Sequence, residues 1–124
     1  MQLDINAREI QDVVILELSG RVVAGEEVDS VRRRVHDLVD QNHKRISLNL
    51  DRVTRIDSTG IGMLVEAVIY TVKQGARLNL YMVPRLIHNI LNTHRLLQAF
   101  EIYGSEAEAI AGFDKSAPQP GARA

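Results

Sequence analysis

Hydrophobic residues along the chain follow two periods, one typical of strands and one typical of helices. Leu3 and Ile5 alternate with polar residues, and residues 13–18 form a second run of strand-forming residues. The small gap between these runs favours an antiparallel pair. From Glu26 the apolar positions recur at helical spacing, and the two periods then alternate along the chain. The pattern predicts further strands at residues 45–50, 78–82 and 100–103, and helices after Glu26, Gly60, Pro84 and Ser105.

The predicted order of elements is β-β-α-β-α-β-α-β-α, which defines an α/β fold class. Strands that alternate with helices after an opening hairpin form a mixed, mostly parallel sheet. We therefore expect a single domain of about five strands, with its helices packed mainly on one face. Residues 1–113 form this domain, and residues 114–124, with two prolines and several small residues, are predicted to be a disordered C-terminal tail. The core is expected to include Leu48, Leu50, Leu64, Val65, Val68 and Leu80.

Helical spacing also assigns faces to the second and third helices. The third helix is expected to bury Leu86, Ile87, Ile90 and Leu91. The second helix is expected to turn five aliphatic residues inward: Ile61, Leu64, Val65, Val68 and Val72. With that orientation, its outward residues are Gly62, Met63, Glu66 and Tyr70.

The composition is that of an ordinary globular protein without a strong charge. Of 124 residues, 45% are apolar and 25% are charged, and the formal net charge is −1. That charge, with 4% aromatic residues and no Trp, argues against nucleic acid as a partner. The N-terminus lacks the apolar core of a signal peptide, and the apolar stretch 61–72 is too short to span a bilayer. We therefore expect a cytoplasmic protein without direct membrane insertion.

Residues that could carry catalysis or bind a cofactor do not form a complete set. There is no cysteine, and none of the four histidines has the i, i+4 spacing of a helical zinc site. Gly60-x-Gly62 matches part of a dinucleotide-binding fingerprint, but Val65 replaces its third glycine. No histidine has a sequence reason to reach Ser58 as in a Ser–His–Asp triad. We therefore expect no enzymatic activity, no metal and no cofactor.

The most distinctive segment is Ile-Asp-Ser-Thr-Gly-Ile-Gly, residues 56–62, between a predicted strand and a predicted helix. It places Ser58 at or next to a helix N-terminus, where backbone N–H groups lack partners. Gly60 leaves the backbone open to close approach by another molecule. Two interpretations stay open: Ser58 caps the helix, or another protein recognises and modifies its hydroxyl. An outward Met63 and Tyr70 nearby are typical of docking surfaces, although scattered surface apolarity is also common.

The segment also carries a family resemblance. The pattern Leu-Asn-Leu-x-x-Val-x-x-Ile-Asp-Ser-Thr-Gly-Ile-Gly, residues 48–62, resembles the STAS domain of bacterial anti-sigma factor antagonists. Further matches are Leu-Ser-Gly at 18–20, the turn at 73–78 and Phe-Glu-Ile-Tyr at 100–103. The resemblance covers residues 1 to about 113.

The resemblance implies a partner-switching protein. In that family the serine that matches Ser58 is phosphorylated by an anti-sigma factor that is itself an ATP-dependent serine kinase. Thr59 matches a position that is Ser or Thr in the family and is a secondary acceptor candidate. The unphosphorylated form binds the kinase and releases the sigma factor, and a metal-dependent serine phosphatase resets the system. The chain would act as a monomer or weak dimer. The expected partner-binding residues are Asp57, Ser58, Thr59, Gly60, Gly62, Met63, Glu66 and Tyr70.

This chain departs from the family pattern at two places, and the same domain type is also known in three other functions. Family members usually carry an acidic residue soon after the glycine that matches Gly20, whereas this chain has acid only at Glu26 and Glu27. Arg95 replaces a glycine that many members have after the third helix, a change expected to affect loop geometry. The same domain type also serves as a scaffold in stress-sensing assemblies, as a regulatory domain of anion transporters and as an accessory subunit in lipid transport.

Overall fold

A computed structural model describes residues 2–115 of the chain. The predicted order of elements is confirmed, with a short 3₁₀ turn, Leu97–Ala99, added before the last strand. Residues 116–124 of the predicted tail lie outside the described residues. The elements are β1 (Leu3–Ile10), β2 (Val13–Val22), α1 (Glu26–Asp40), β3 (Arg45–Ile56), α2 (Ser58–Lys73), β4 (Arg77–Tyr81), α3 (Arg85–Thr93), β5 (Ile102–Tyr103) and α4 (Glu106–Gly112).

The strands form one mixed sheet in the order β1-β2-β3-β4-β5. β1 is antiparallel to β2, and every other neighbouring pair is parallel, as predicted. Leu48 of β3 lies opposite Leu16 of β2 and Leu80 of β4, so these three side chains share one face. Since successive residues of a strand point to opposite faces, that face is continuously aliphatic in the middle of the sheet.

Three helices pack on this aliphatic face, which confirms that the helices lie mainly on one side. Buried residues of α1, α2 and α3 join the strands in a single hydrophobic core. The short α4 covers part of the opposite face, where Ala109 and Phe113 pack against Val13, Ile15 and Tyr81. The parallel strands end at one edge of the sheet, so the β3–α2 junction and the start of α1 meet there.

The side of α2 that faces the sheet differs from the prediction. Leu64 is buried as expected, but Met63, predicted to point outward, is only 1% exposed. Val72, predicted inward, is 60% exposed, and Val65 and Val68 are only partly buried. The reason is that α2 packs on the sheet through its small residues. Gly60 and Ala67 are buried there, and they let the helix approach the strands closely.

The prediction for α3 is correct at three of four positions. Ile87 and Leu91 are buried, and Ile90 is partly buried. Leu86 is 64% exposed, so its predicted burial is wrong. A helix this short buries one narrow stripe, here the i, i+4 pair Ile87 and Leu91, and Leu86 lies about 100° around the helix from Ile87.

Candidate functional site

Asp57 organises the junction between β3 and α2. It lies in an extended conformation just before the helix, and its Oδ1 accepts a hydrogen bond from the Gly60 N–H at 2.8 Å. Its Oδ2 accepts a second bond from the Ala24 N–H at 2.9 Å, in the loop between β2 and α1. Asp57 is therefore the N-cap, and the interpretation that Ser58 caps the helix is wrong. Ser58 is the first residue of α2, and its side chain is exposed.

The same carboxylate fixes the loop after β2 in this chain. Glu26 is exposed in the first turn of α1, and the loop is joined to α2 by Asp57 through the Ala24 N–H. The two backbone bonds, from Ala24 first and Gly60 second, hold the pKa of Asp57 below its usual range. The ionised form is therefore the one that the folded protein favours.

Asp57→Asn should destabilise the protein at neutral pH, because an amide has one acceptor oxygen where two N–H groups need one each. The folded pKa of Asp57 lies below its unfolded value of about 3.9, so its stabilisation is present above that pH and is lost as pH falls through the folded pKa. Urea unfolding of both proteins at pH 7 and at about pH 3 should show the gap between them closing in acid. Exposed Asp51→Asn is the control, and an Asp57→Asn gap of equal size at both pH values would contradict this account.

The two glycines of the segment have different roles. A Cβ added to Gly60 would lie 2.4 Å from the carbonyl oxygen of Val22 and 2.7 Å from Cγ1 of Ile56. Gly60 therefore lets the first turn of α2 approach β2, and the prediction that it leaves the backbone open to another molecule is wrong. A Cβ added to Gly62 would meet no atom within 4 Å, and Gly62 is exposed. Of the two, Gly62 is the glycine that leaves surface open to a partner.

Ser58 stands at the rim of an open groove between α2 and the end of α3, with a volume of about 640 Å³. The groove is mostly apolar. From β3 and α2 it is lined by Ile56, Asp57, Ser58, Ile61, Gly62 and Val65. Its other wall, which sequence reasoning did not identify, consists of Ile90, His94 and Leu96. The helical pattern of α3 marks Ile90 as apolar, but nothing in the pattern shows that it faces Ser58.

Glu66 and Tyr70 lie on the side of α2 that faces α1, away from this groove. Glu66 Oε1 is 3.0 Å from Nε2 of His36, and the ring of His36 stacks on that of Tyr70 at a centroid distance of 3.8 Å. The Tyr70 hydroxyl donates to Asp40 at 2.5 Å, which raises the pKa of Tyr70. These contacts join α1 to α2, and Glu66 and Tyr70 remain partly exposed.

The structure therefore divides the eight predicted partner-binding residues. It brings Asp57, Ser58 and Gly62 together at the groove, whereas Met63 is in the core. Thr59 is exposed one residue beyond Ser58. Among residues 2–115, no group of three His, Asp or Glu side chains is placed to hold a metal ion. None of the helices described is long and apolar enough to cross a membrane.

The fold is thus a small α/β domain with an apolar groove beside an exposed hydroxyl. Residues 4–109 match the STAS domain family, and the chain belongs to that family. A comparison with curated proteins finds no match.

Solved structures share the fold at low sequence identity. TM1081 from Thermotoga maritima superposes with a TM-score of 0.78 at 22% identity, covering 90% of this chain and 95% of that one. SpoIIAA from Bacillus, in its phosphorylated form, has a TM-score of 0.69 at 18% identity over 89% of this chain and 99% of its own. A sulfate transporter family protein from Wolinella succinogenes has a TM-score of 0.67 at 23% identity over 85% and 87%. SpoIIAA is an anti-sigma factor antagonist, so the fold is shared by a protein of that kind and by a transporter-family protein.

Proposed function

We propose that this protein is an anti-sigma factor antagonist that acts by partner switching. Its unphosphorylated form binds an anti-sigma factor serine kinase and releases the sigma factor, and phosphorylation of Ser58 ends that binding. The observation that supports this most directly is the exposed Ser58 hydroxyl at the rim of an apolar groove. SpoIIAA, which shares the fold, is an anti-sigma factor antagonist that has been solved in unphosphorylated and phosphorylated forms.

In the proposed modification this chain contributes only the hydroxyl that accepts the phosphate. The Ser58 Oγ forms a bond to the γ-phosphorus of ATP while the bond from that phosphorus to its bridging oxygen breaks. ADP leaves, and the hydroxyl proton passes to a base of the kinase. The kinase supplies the ATP site, so the partial Gly60-x-Gly62 fingerprint has no nucleotide to bind. The domain itself acts as a substrate and a binding partner.

The groove explains why a phosphate would have a large effect. Phosphate adds a charge of about −1.5 to −2 and three strong acceptor oxygens. A partner that covers Ser58, Gly62 and the apolar groove would have to bury this charge, and an unpaired buried charge costs several kcal/mol. Each ~1.4 kcal/mol changes affinity tenfold, so binding falls by orders of magnitude without refolding. Thr59 would lie at the edge of this interface, and a partner that also contacts Glu66 and Tyr70 would have to extend across α2 toward α1.

A second candidate is an unphosphorylated STAS scaffold or an accessory subunit of a transport complex. The similarity to a sulfate transporter family protein supports it. In that case the groove would still bind a protein, but Ser58 would remain unmodified. The two functions therefore differ in a single measurable property.

Mass spectrometry after incubation with MgATP and each anti-sigma factor serine kinase of the same genome tests the proposal. We expect one phosphate on Ser58, none on Ser58→Ala, and full modification of Thr59→Ala. A serine phosphatase should remove it. Modification of Thr59 alone would move the acceptor by one residue. No modification at either residue by any of these kinases would favour the scaffold or transport function.

A further inference from the structure

His94 stands across the groove from the proposed phosphorylation site. His94 and Ser58 line the same groove, and His94 and Asp57 are its two ionisable lining residues. Both oxygens of Asp57 already accept backbone hydrogen bonds, from Gly60 and from Ala24. The remaining lining is aliphatic apart from Gly62. A phosphate on Ser58 would thus find one side chain in the groove that can carry a positive charge.

The ring of His94 is available for such a contact. His94 is exposed and ends α3, where its backbone N–H donates to the Ile90 carbonyl at 3.1 Å. Within residues 2–115 the His94 ring makes no hydrogen bond or ion pair. The helix end therefore fixes the backbone of His94 and leaves its imidazole exposed at the groove.

The turn after His94 fixes the position of this residue at the end of α3. Arg95 has a φ of +58°, in the left-handed region that favours glycine. The turn is closed by the Leu96 N–H, which donates to the Leu91 carbonyl at 2.7 Å, and it places His94 and Leu96 on the same wall of the groove. This is the ordinary Schellman arrangement of a helix C-terminus, and it fixes the backbone around His94. Arg95 also adds a positive charge next to His94 in the chain.

We propose that His94 binds the phosphate of phosphorylated Ser58 within the same molecule and holds it over the groove. The inference rests on the phosphorylation proposed above and extends it. Phosphorylation would then close the docking groove from within, in addition to repelling the partner. The pair would act as a regulatory contact that forms only in the modified protein.

The chemistry of the two groups makes this contact sensitive to pH. The second pKa of phosphoserine is about 6 and histidine ordinarily titrates near a pKa of about 6.5. Pairing requires the phosphate dianion and the protonated imidazole, so each charged form stabilises the other. The phosphate should lose its second proton at lower pH, and His94 should keep its proton to higher pH. Asp57 faces the same groove and opposes the dianion, while neighbouring Arg95 favours it.

Phosphoserine installed at position 58 by genetic code expansion tests the contact without any kinase. ³¹P NMR titrations would compare otherwise unchanged protein with His94→Gln and His43→Gln. His43 is a matched control, because it precedes β3 and Ser58 follows it, so the 12 residues of that strand separate them. We expect the second acid dissociation constant of the phosphate to be about threefold larger with His94 present than in His94→Gln, as for an exposed ion pair. His43→Gln should match the unsubstituted protein.

Equal phosphate titrations in all three proteins would overturn the inference. If His94→Gln does not fold, the ¹H resonances of His94 before and after phosphorylation give the same answer, since their titration midpoint should rise on modification. An unchanged midpoint would also overturn it. Because the phosphate is installed directly, this failure is distinct from failure of a kinase to modify Ser58, which bears on the proposed function alone.

Discussion

Leu64→Ala should lower the free energy of unfolding by about 2–5 kcal/mol. Leu64 is 1% exposed and lies on the side of α2 that faces the sheet, in the core shared by the strands and α1 to α3. Truncation would remove buried methyl groups and leave a cavity that the surrounding strands can fill only in part. Chemical denaturation followed by circular dichroism would measure the change.

Ile69→Ala and Val72→Ala are the matched controls on the same helix. Their side chains are 50% and 60% exposed, so each should cost less than about 1 kcal/mol. Val72 distinguishes the observed face of α2 from the predicted one, because the sequence pattern places it inward. Leu64 faces inward in both orientations, so a large loss in Val72→Ala would show that the predicted face is the correct one.

The hydrophobic pattern predicted which residues face the core in the strands better than it did in α2. The faces of β3 were predictable because its apolar residues alternate, so Leu48 and Leu50 share a face, and both are buried. α2 has apolar residues on most of its circumference, so several orientations bury similar area. Packing against the strands selects the one that places Gly60 and Ala67 inward, and a scale that counts only apolar size gives such small residues little weight.

The part of the site that lies in one continuous segment of sequence was predictable. A hydroxyl at the start of α2 follows from the neighbouring strand and helix patterns. From the sequence Ser58 was considered as the cap, whereas Asp57 is the cap. Both residue types are good N-caps, and only the backbone conformation separates them. The α3 wall of the groove could not be predicted, since His94 lies 36 positions after Ser58 and its proximity depends on how two helices pack.

Ser58→Asp should weaken binding to the anti-sigma factor kinase by about tenfold or more, because it places a charge where the partner covers the groove. Aspartate carries one charge and a smaller group than phosphate, so the loss should be smaller than that caused by phosphorylation itself. Ser58→Ala should keep full affinity. Since Asp57 is the cap, Ser58→Ala should also change the free energy of unfolding by no more than about 0.5 kcal/mol. Isothermal titration calorimetry and chemical denaturation measure the two quantities.

Thr59→Asp is the control that separates position from charge. Thr59 is exposed and adjacent in sequence, but it does not line the groove, so the same added charge should weaken kinase binding much less there. Equal losses at both positions would mean that the partner senses negative charge over the whole start of α2. Unchanged affinity in Ser58→Asp would place the kinase interface elsewhere on the domain. The groove would then be left to the scaffold or transport partner of the second candidate function.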